Sequence, residues 1–120
     1  MEECVFCNVI YDVGDNGFAA SSETMVAIPD KFPVTPLHHL IIPRDHRKDF
    51  FALSQIEVLD LRRLLHKLKN QLIEQDSTIT GFNIGMNCGA DAGQTVSHCH
   101  AYLIPRRKGD NEDPKVVCAV

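Results

Sequence analysis

The sequence predicts an α+β domain in which antiparallel strands pack against one principal helix. Two observations carry this. Short runs bounded by Pro, Gly or Asp recur on both sides of the chain's middle, and one long segment between them carries apolar residues at helical spacing. At 120 residues and 44% hydrophobic content, the chain is expected to form a single domain over 1–120 that buries roughly two thirds of its unfolded surface.

The N-terminal stretch MEECVFCNVI is acidic and has neither a basic flank nor a long apolar run. It therefore reads as neither a signal peptide nor a membrane span, and a cytoplasmic location is expected. The runs TMVAIPD (24–30) and LHHLIIP (37–43) follow as strands. In SQIEVLDLRRLLHKLKNQLIEQD, Ser54 and Glu57 form an S-x-x-E capping box that opens a long helix. Val58, Leu61, Leu65, Leu68 and Leu72 make its apolar stripe, beside Arg62, Arg63, Lys67 and Lys69. His66 lies within this helix and reads as a partly exposed helical histidine. GFNIGMNC (81–88) and SHCHAYLIP (97–105) complete the strands, joined by the small-residue loop NCGADAGQTV. The tail RRKGDNEDPKVVCAV is charged and then briefly apolar, so it either frays or docks on another subunit. Arg106 and Arg107 read as a solvated basic strand end.

A net charge of −4 without a broad basic face argues against a nucleic-acid polymer or a membrane surface as partner. Any phosphate contact must be local. Five cysteines, an odd number, fit reduced thiols or metal ligands better than a disulfide framework. Cys4 and Cys7 form a C-x-x-C knuckle whose thiolates can reach one tetrahedral ion. The spacing alone fits unpaired thiols equally well, and zinc would need further ligands from His38, His39, His46, His66, His98 and His100.

Strand alternation puts His98, His100 and Tyr102 on one face, with Cys99, Ala101 and Leu103 on the other. An imidazole that is neutral near pH 7 can act as base, metal ligand or nucleophile. Upstream, the loop Gly89 to Thr95 can converge backbone N–H groups on an anion, and Gln94 and Thr95 add side-chain donors. No G-K-[ST] follows, so this is not a Walker loop. The absence of a G-x-S-x-G elbow argues against a Ser-His-Asp hydrolase.

These residues resemble the histidine triad (HIT) superfamily of nucleotide hydrolases and transferases, whose signature is His-φ-His-φ-His-φ-φ with φ apolar. The blocks CVFC, IPDKFPVTPLHHLIIPRDH and NCGADAGQTVSHCHAYLIPR run collinearly through the chain. The resemblance implies an antiparallel sheet of about five strands with a long helix packed on it. It also implies a hydrolase acting on an adenosine-type nucleotide, such as diadenosine tetraphosphate, through a nucleotidyl-histidine on His100. Gln94 and the amides around Gln94 and Thr95 would then hold the α-phosphate. Asp30 matches the acid that binds the ribose, and His38 a histidine near the phosphates. Asn87 matches a ribose or phosphate contact, and Gly93 the glycine that lets the loop approach the nucleotide. His39, one step out of phase, is expected to face the other side in a structural role. In zinc-containing branches the ligands fall on Cys4, Cys7, His46 and His98, a closed structural site. A homodimer is also implied. The third triad position is the departure: Tyr102 puts a neutral phenol where the signature has histidine. That substitution keeps other readings open, namely a phosphoramidase, a nucleotidyltransferase, or a zinc-stabilised nucleotide sensor without turnover.

Overall fold

The computed structural model describes residues 4–14 and 17–111. The chain is α+β, with the elements α1 (Val5–Val13), β1 (Ala20–Ser21), β2 (Met25–Pro29), β3 (His39–Pro43), α2 (Gln55–Gln75), β4 (Ile79–Gly85) and β5 (Ala101–Arg107). The strands form one antiparallel sheet in the order β1-β2-β3-β5-β4. All five residues of β3 are buried, as suits a central strand covered on both faces.

Alternation sorts the side chains into two cores. Met25, Ala27, Ile41, Ala101 and Leu103 pack toward α2, against Leu61, Leu64, Leu68 and Leu72. Val26, Leu40 and Ile42 face the other way and close around Phe6 of α1, with Ile28 and Tyr102 at the margin. The α2 capping box forms as expected: Glu57 N donates to Ser54 Oγ at 3.1 Å, and Ser54 N to Glu57 Oε1 at 2.8 Å. The stripe is rotated from the expected one, since Leu64 is buried and Val58 is 36% exposed. The cause lies one residue away. Glu57, not Val58, takes the inward position and pairs with Arg47.

Three further features differ from the sequence reading. Residues 5–13 form a helix, with Cys4 as its N-cap accepting from Cys7 N at 3.3 Å, and β1 adds a short edge strand. Strand β4 starts at Ile79 and ends at Gly85, where its pairing with β5 stops. Regular strand structure in the last run begins only at Ala101, so residues 97–100 lie ahead of it. Their polar groups bond elsewhere: Cys99 N donates to Arg47 O at 2.6 Å, and His98 Nε2 meets Pro43 O at 2.9 Å. No described helix is long and apolar enough to cross a membrane. The VVCAV segment lies outside the described residues.

Candidate active site and metal centre

The C-x-x-C pair occupies the first turn of α1, so residues three apart present both sulfurs to one side. Opposite them stand His46, just beyond β3, and His98. Cys4 Sγ is 3.4 Å from His98 Nδ1, Cys7 Sγ is 3.4 Å from the same nitrogen, and Cys7 Sγ is 3.2 Å from His46 Nδ1. All four ligand atoms lie within 4.8 Å of one another. A tetrahedral ion with bonds of about 2.0–2.3 Å needs ligand atoms about 3.3–3.8 Å apart; three separations here are 3.2–3.4 Å and the rest reach at most 4.8 Å, so the donor chemistry fits zinc and the spacing is close to what it needs. The His98 ring is oriented from behind, because its Nε2–H points to the Pro43 carbonyl and leaves Nδ1 as the ligand atom. Burial lowers the His98 pKa and keeps the ring neutral, while burial and then Cys4 raise that of the Cys7 thiol. No disulfide joins the described cysteines.

His100 is only half-buried, and its Nδ1 lies 2.8 Å from the His98 carbonyl. A carbonyl can only accept, so Nδ1 carries the proton and Nε2 keeps a free lone pair. The Phe6 ring stands edge-on to both histidines, at 5.1 Å from His100 and 5.8 Å from His98. Across the sheet, Ile28, Leu40, Tyr102 and Gly85 form one row by successive pairings, with His100 one step further along β5's own line.

His38 is buried immediately before β3, and its Nδ1 accepts from Val34 N at 3.0 Å. Nε2 therefore carries the hydrogen. It lies 3.3 Å from Asp30 Oδ2 but is not aligned on it, so this buried donor has no hydrogen-bond partner in the protein. Burial lowers the His38 pKa against the opposing pull of Asp30, so the ring is neutral near pH 7. His39 points toward α2, paired with Leu103, and its Nδ1 meets Leu37 O at 2.6 Å. His66 is exposed on α2.

The loop before His98 is held by Gln94. Its Oε1 accepts from Gly89 N at 2.8 Å, and its Nε2 donates to Lys48 O at 2.7 Å and Val96 O at 2.9 Å. Both ends of the carboxamide are thus committed to backbone, which shapes the loop. Gly93 adopts φ +94, and a Cβ there would come within 3.3 Å of Asn87 Nδ2. The left-handed backbone calls for glycine, and a Cβ would also press on the Asn87 amide. Thr95 is exposed beside it. The segment 43–48, whose carbonyls hold His98 and Gln94, went unread in the sequence because backbone acceptors leave no side-chain signature. Arg106 bonds Asp110 and Asn83, and Arg107 bonds Asp76 and Pro36 O, so the strand end is ion-paired.

A five-stranded sheet with this histidine pair ahead of its fourth strand in spatial order defines a HIT-type protein. The HIT domain model matches residues 15–109. An uncharacterized HIT-like protein of Saccharolobus solfataricus is 32% identical over 95% of this chain and 79% of its own length. The asymmetrical bis(5'-nucleosyl)-tetraphosphatase of Schizosaccharomyces pombe is 38% identical over 71% of this chain and 46% of that protein. Among solved structures, a Zn-bound histidine triad family protein from Mycobacterium smegmatis superposes with TM-score 0.80 at 31% identity, covering 91% of this chain and 78% of that one. The chain belongs to the HIT domain family.

Proposed function

We propose that this protein is a nucleotide hydrolase that cleaves at the α-phosphate of an adenosine-type nucleotide, with dinucleoside polyphosphates favoured by its tetraphosphatase relative. The observation that carries the reading is the 2.8 Å bond from His100 Nδ1 to the His98 carbonyl, which leaves Nε2 as a nucleophile. Nε2 forms a bond to the α-phosphorus while the P–O bond to the departing phosphate chain breaks, its electron pair leaving on that oxygen. Water then adds to phosphorus, the P–N bond breaks, and its electron pair returns to Nε2. The water's proton is released with the mononucleotide.

The surrounding residues take supporting roles. Asp30 accepts from the ribose hydroxyls, and the unpartnered His38 Nε2–H is a donor beside it. Amides near Gly93, Gln94 and Thr95 receive the α-phosphate oxygens where charge develops. Asn87 packs under this loop, and Gln94 keeps its shape through its three backbone bonds. Cys4, Cys7, His46 and His98 would hold zinc. With four protein ligands the ion serves structure and leaves no open position for substrate. Strand β4 is an edge, and Ile84 on it is 58% exposed, so a homodimer pairing along this edge is part of the reading. Light scattering that finds only single chains removes the dimer.

Intact-protein mass spectrometry after acid-free quenching with diadenosine tetraphosphate tests the chemistry. A nucleotidyl increment is expected on the native protein and not on His100→Ala, with turnover reduced ~10⁴-fold or more. Mononucleotide from water attack identifies hydrolysis, whereas a nucleoside diphosphate made with added inorganic phosphate identifies transfer. The phenol at Tyr102 favours one second reading, a binding module without turnover. That reading gains if nucleotide binds while neither adduct nor product forms.

A further inference from the structure

Gly85 ends β4 directly opposite Tyr102. Its φ is not in the left-handed region, so the backbone does not demand glycine there. The space does. A Cβ built on Gly85 would lie 2.4 Å from Tyr102 Oη, 2.7 Å from Cζ and 3.2 Å from Cε2. These distances are too short to survive, and the ring could escape only by moving as a unit, because a phenol has no flexible end to yield. Tyr102 therefore lies across the edge strand, in the place a side chain at residue 85 would fill. Among the described residues its hydroxyl has no hydrogen-bond partner, which leaves the donor free. The same residue stands two positions beyond His100 in the chain, on the strand that His100 leads into.

We propose that Gly85 is a positioning residue for the reaction, because its missing side chain lets the Tyr102 phenol lie across β4 with its hydroxyl free to meet the departing oxygen. The proposal rests on the nucleotidyl-histidine reading above. As the P–N bond forms and the bridging P–O bond breaks, the oxygen that leaves gains the electron pair. The phenol donates a hydrogen bond to that oxygen and keeps its own proton, since its pKa of ~10 is well above that of a phosphate anion. Leaving groups that are stable as anions need no more. An aromatic ring laid over a strand glycine is also a common structural cover, and that account predicts a loss of stability without a leaving-group effect.

The test is a cycle of Gly85→Ala, Tyr102→Phe and the double variant, read by kcat, KM and melting temperature. Two substrates are compared: diadenosine tetraphosphate, and the 2,4-dinitrophenyl ester of AMP, whose departing phenolate is a far weaker base than the phosphate chain and gains little from a hydrogen bond. On the tetraphosphate each single variant is expected to lose about ten- to hundredfold in kcat with KM little changed, and the double variant to be no worse than Tyr102→Phe. On the aryl ester all three stay near the native rate. Native kcat in Gly85→Ala, multiplicative losses in the double variant, or equal losses on both substrates would each overturn the proposal. If Gly85→Ala does not fold, adding Tyr102→His, with its shorter ring, must restore folding, and failure to do so refutes the steric pairing. Failure of the underlying reading is separately visible, as a native protein that forms no nucleotidyl adduct with either substrate.

Discussion

His98 and His100 both donate to backbone carbonyls, but from opposite ring nitrogens, and this divides their work. His98 gives Nε2–H to Pro43 and turns Nδ1 to the sulfurs, while His100 gives Nδ1–H to residue 98 and keeps the lone pair on Nε2. The two-residue spacing made a shared face legible in the sequence. It could not assign the nitrogens, because the acceptor for His98 comes from a residue 55 positions away. The pairing of Gly85 with Tyr102 was invisible for the same reason, since cross-strand register is a tertiary fact. Arg106 and Arg107 were read as solvated charges, yet carboxylates hold both. The Asp76 carboxyl is pulled down to about 2, first by the Thr78 hydroxyl and then by Arg107. A depressed carboxylate stabilises the fold above its ordinary value of 3.8, and this contribution fades as pH falls toward about 2. Asp76→Asn should therefore lower the urea midpoint clearly at pH 6, by an amount that shrinks progressively below pH 4 and is smaller at pH 2.5. A constant offset across that range would assign the effect to something other than the charge.

The long helix was the most legible element, because its capping box and its leucines agree on one register. Its rotation was missed by one residue, since a glutamate at the inward position looks wrong until Arg47 is seen across from it. Helix α1 was hidden by a nine-residue span whose Val, Cys and aromatic residues carry little helical preference. Strand β1, only two residues long, is too short to leave a period. Removing the capping hydroxyl with Ser54→Ala should cost about 1 kcal/mol. Truncating the fully buried Leu68 to Ala should cost ~2–5 kcal/mol, because a cavity remains between α2 and the sheet. Both effects are expected as shifts of the urea midpoint at constant slope. A Ser54→Ala loss as large as that of Leu68→Ala would mean that the cap organises the neighbouring Arg47 segment as well as the helix.

At the scale of the molecule, the two faces of the sheet are secured by different means. Helix α2 buries four leucines and needs no further tie. Helix α1 has nine residues, too few to persist alone in water, and only Phe6 of it is buried. Ile10 packs partly against the same core, and the pair of sulfurs at the first turn, gathered with His46 and His98, adds a further anchor. Zinc in that cluster would therefore supply much of the free energy that keeps α1 on the sheet, and the same bond network sets the carbonyl of residue 98 against the His100 ring. Elemental analysis of the purified protein should find one zinc per chain, and chelation should lower the melting temperature by roughly 10 °C or more, the equivalent of ~2–3 kcal/mol in a domain of this size. Hydrogen exchange gives the more specific result. Removal of the metal should accelerate exchange over residues 5–13 and 96–100 while the amides of α2 keep their protection, because the core between α2 and the sheet does not involve the cluster. Acceleration spread evenly over α1 and α2 would mean that the sheet and both helices open as one unit, and the metal would then support the whole fold instead of one face of it.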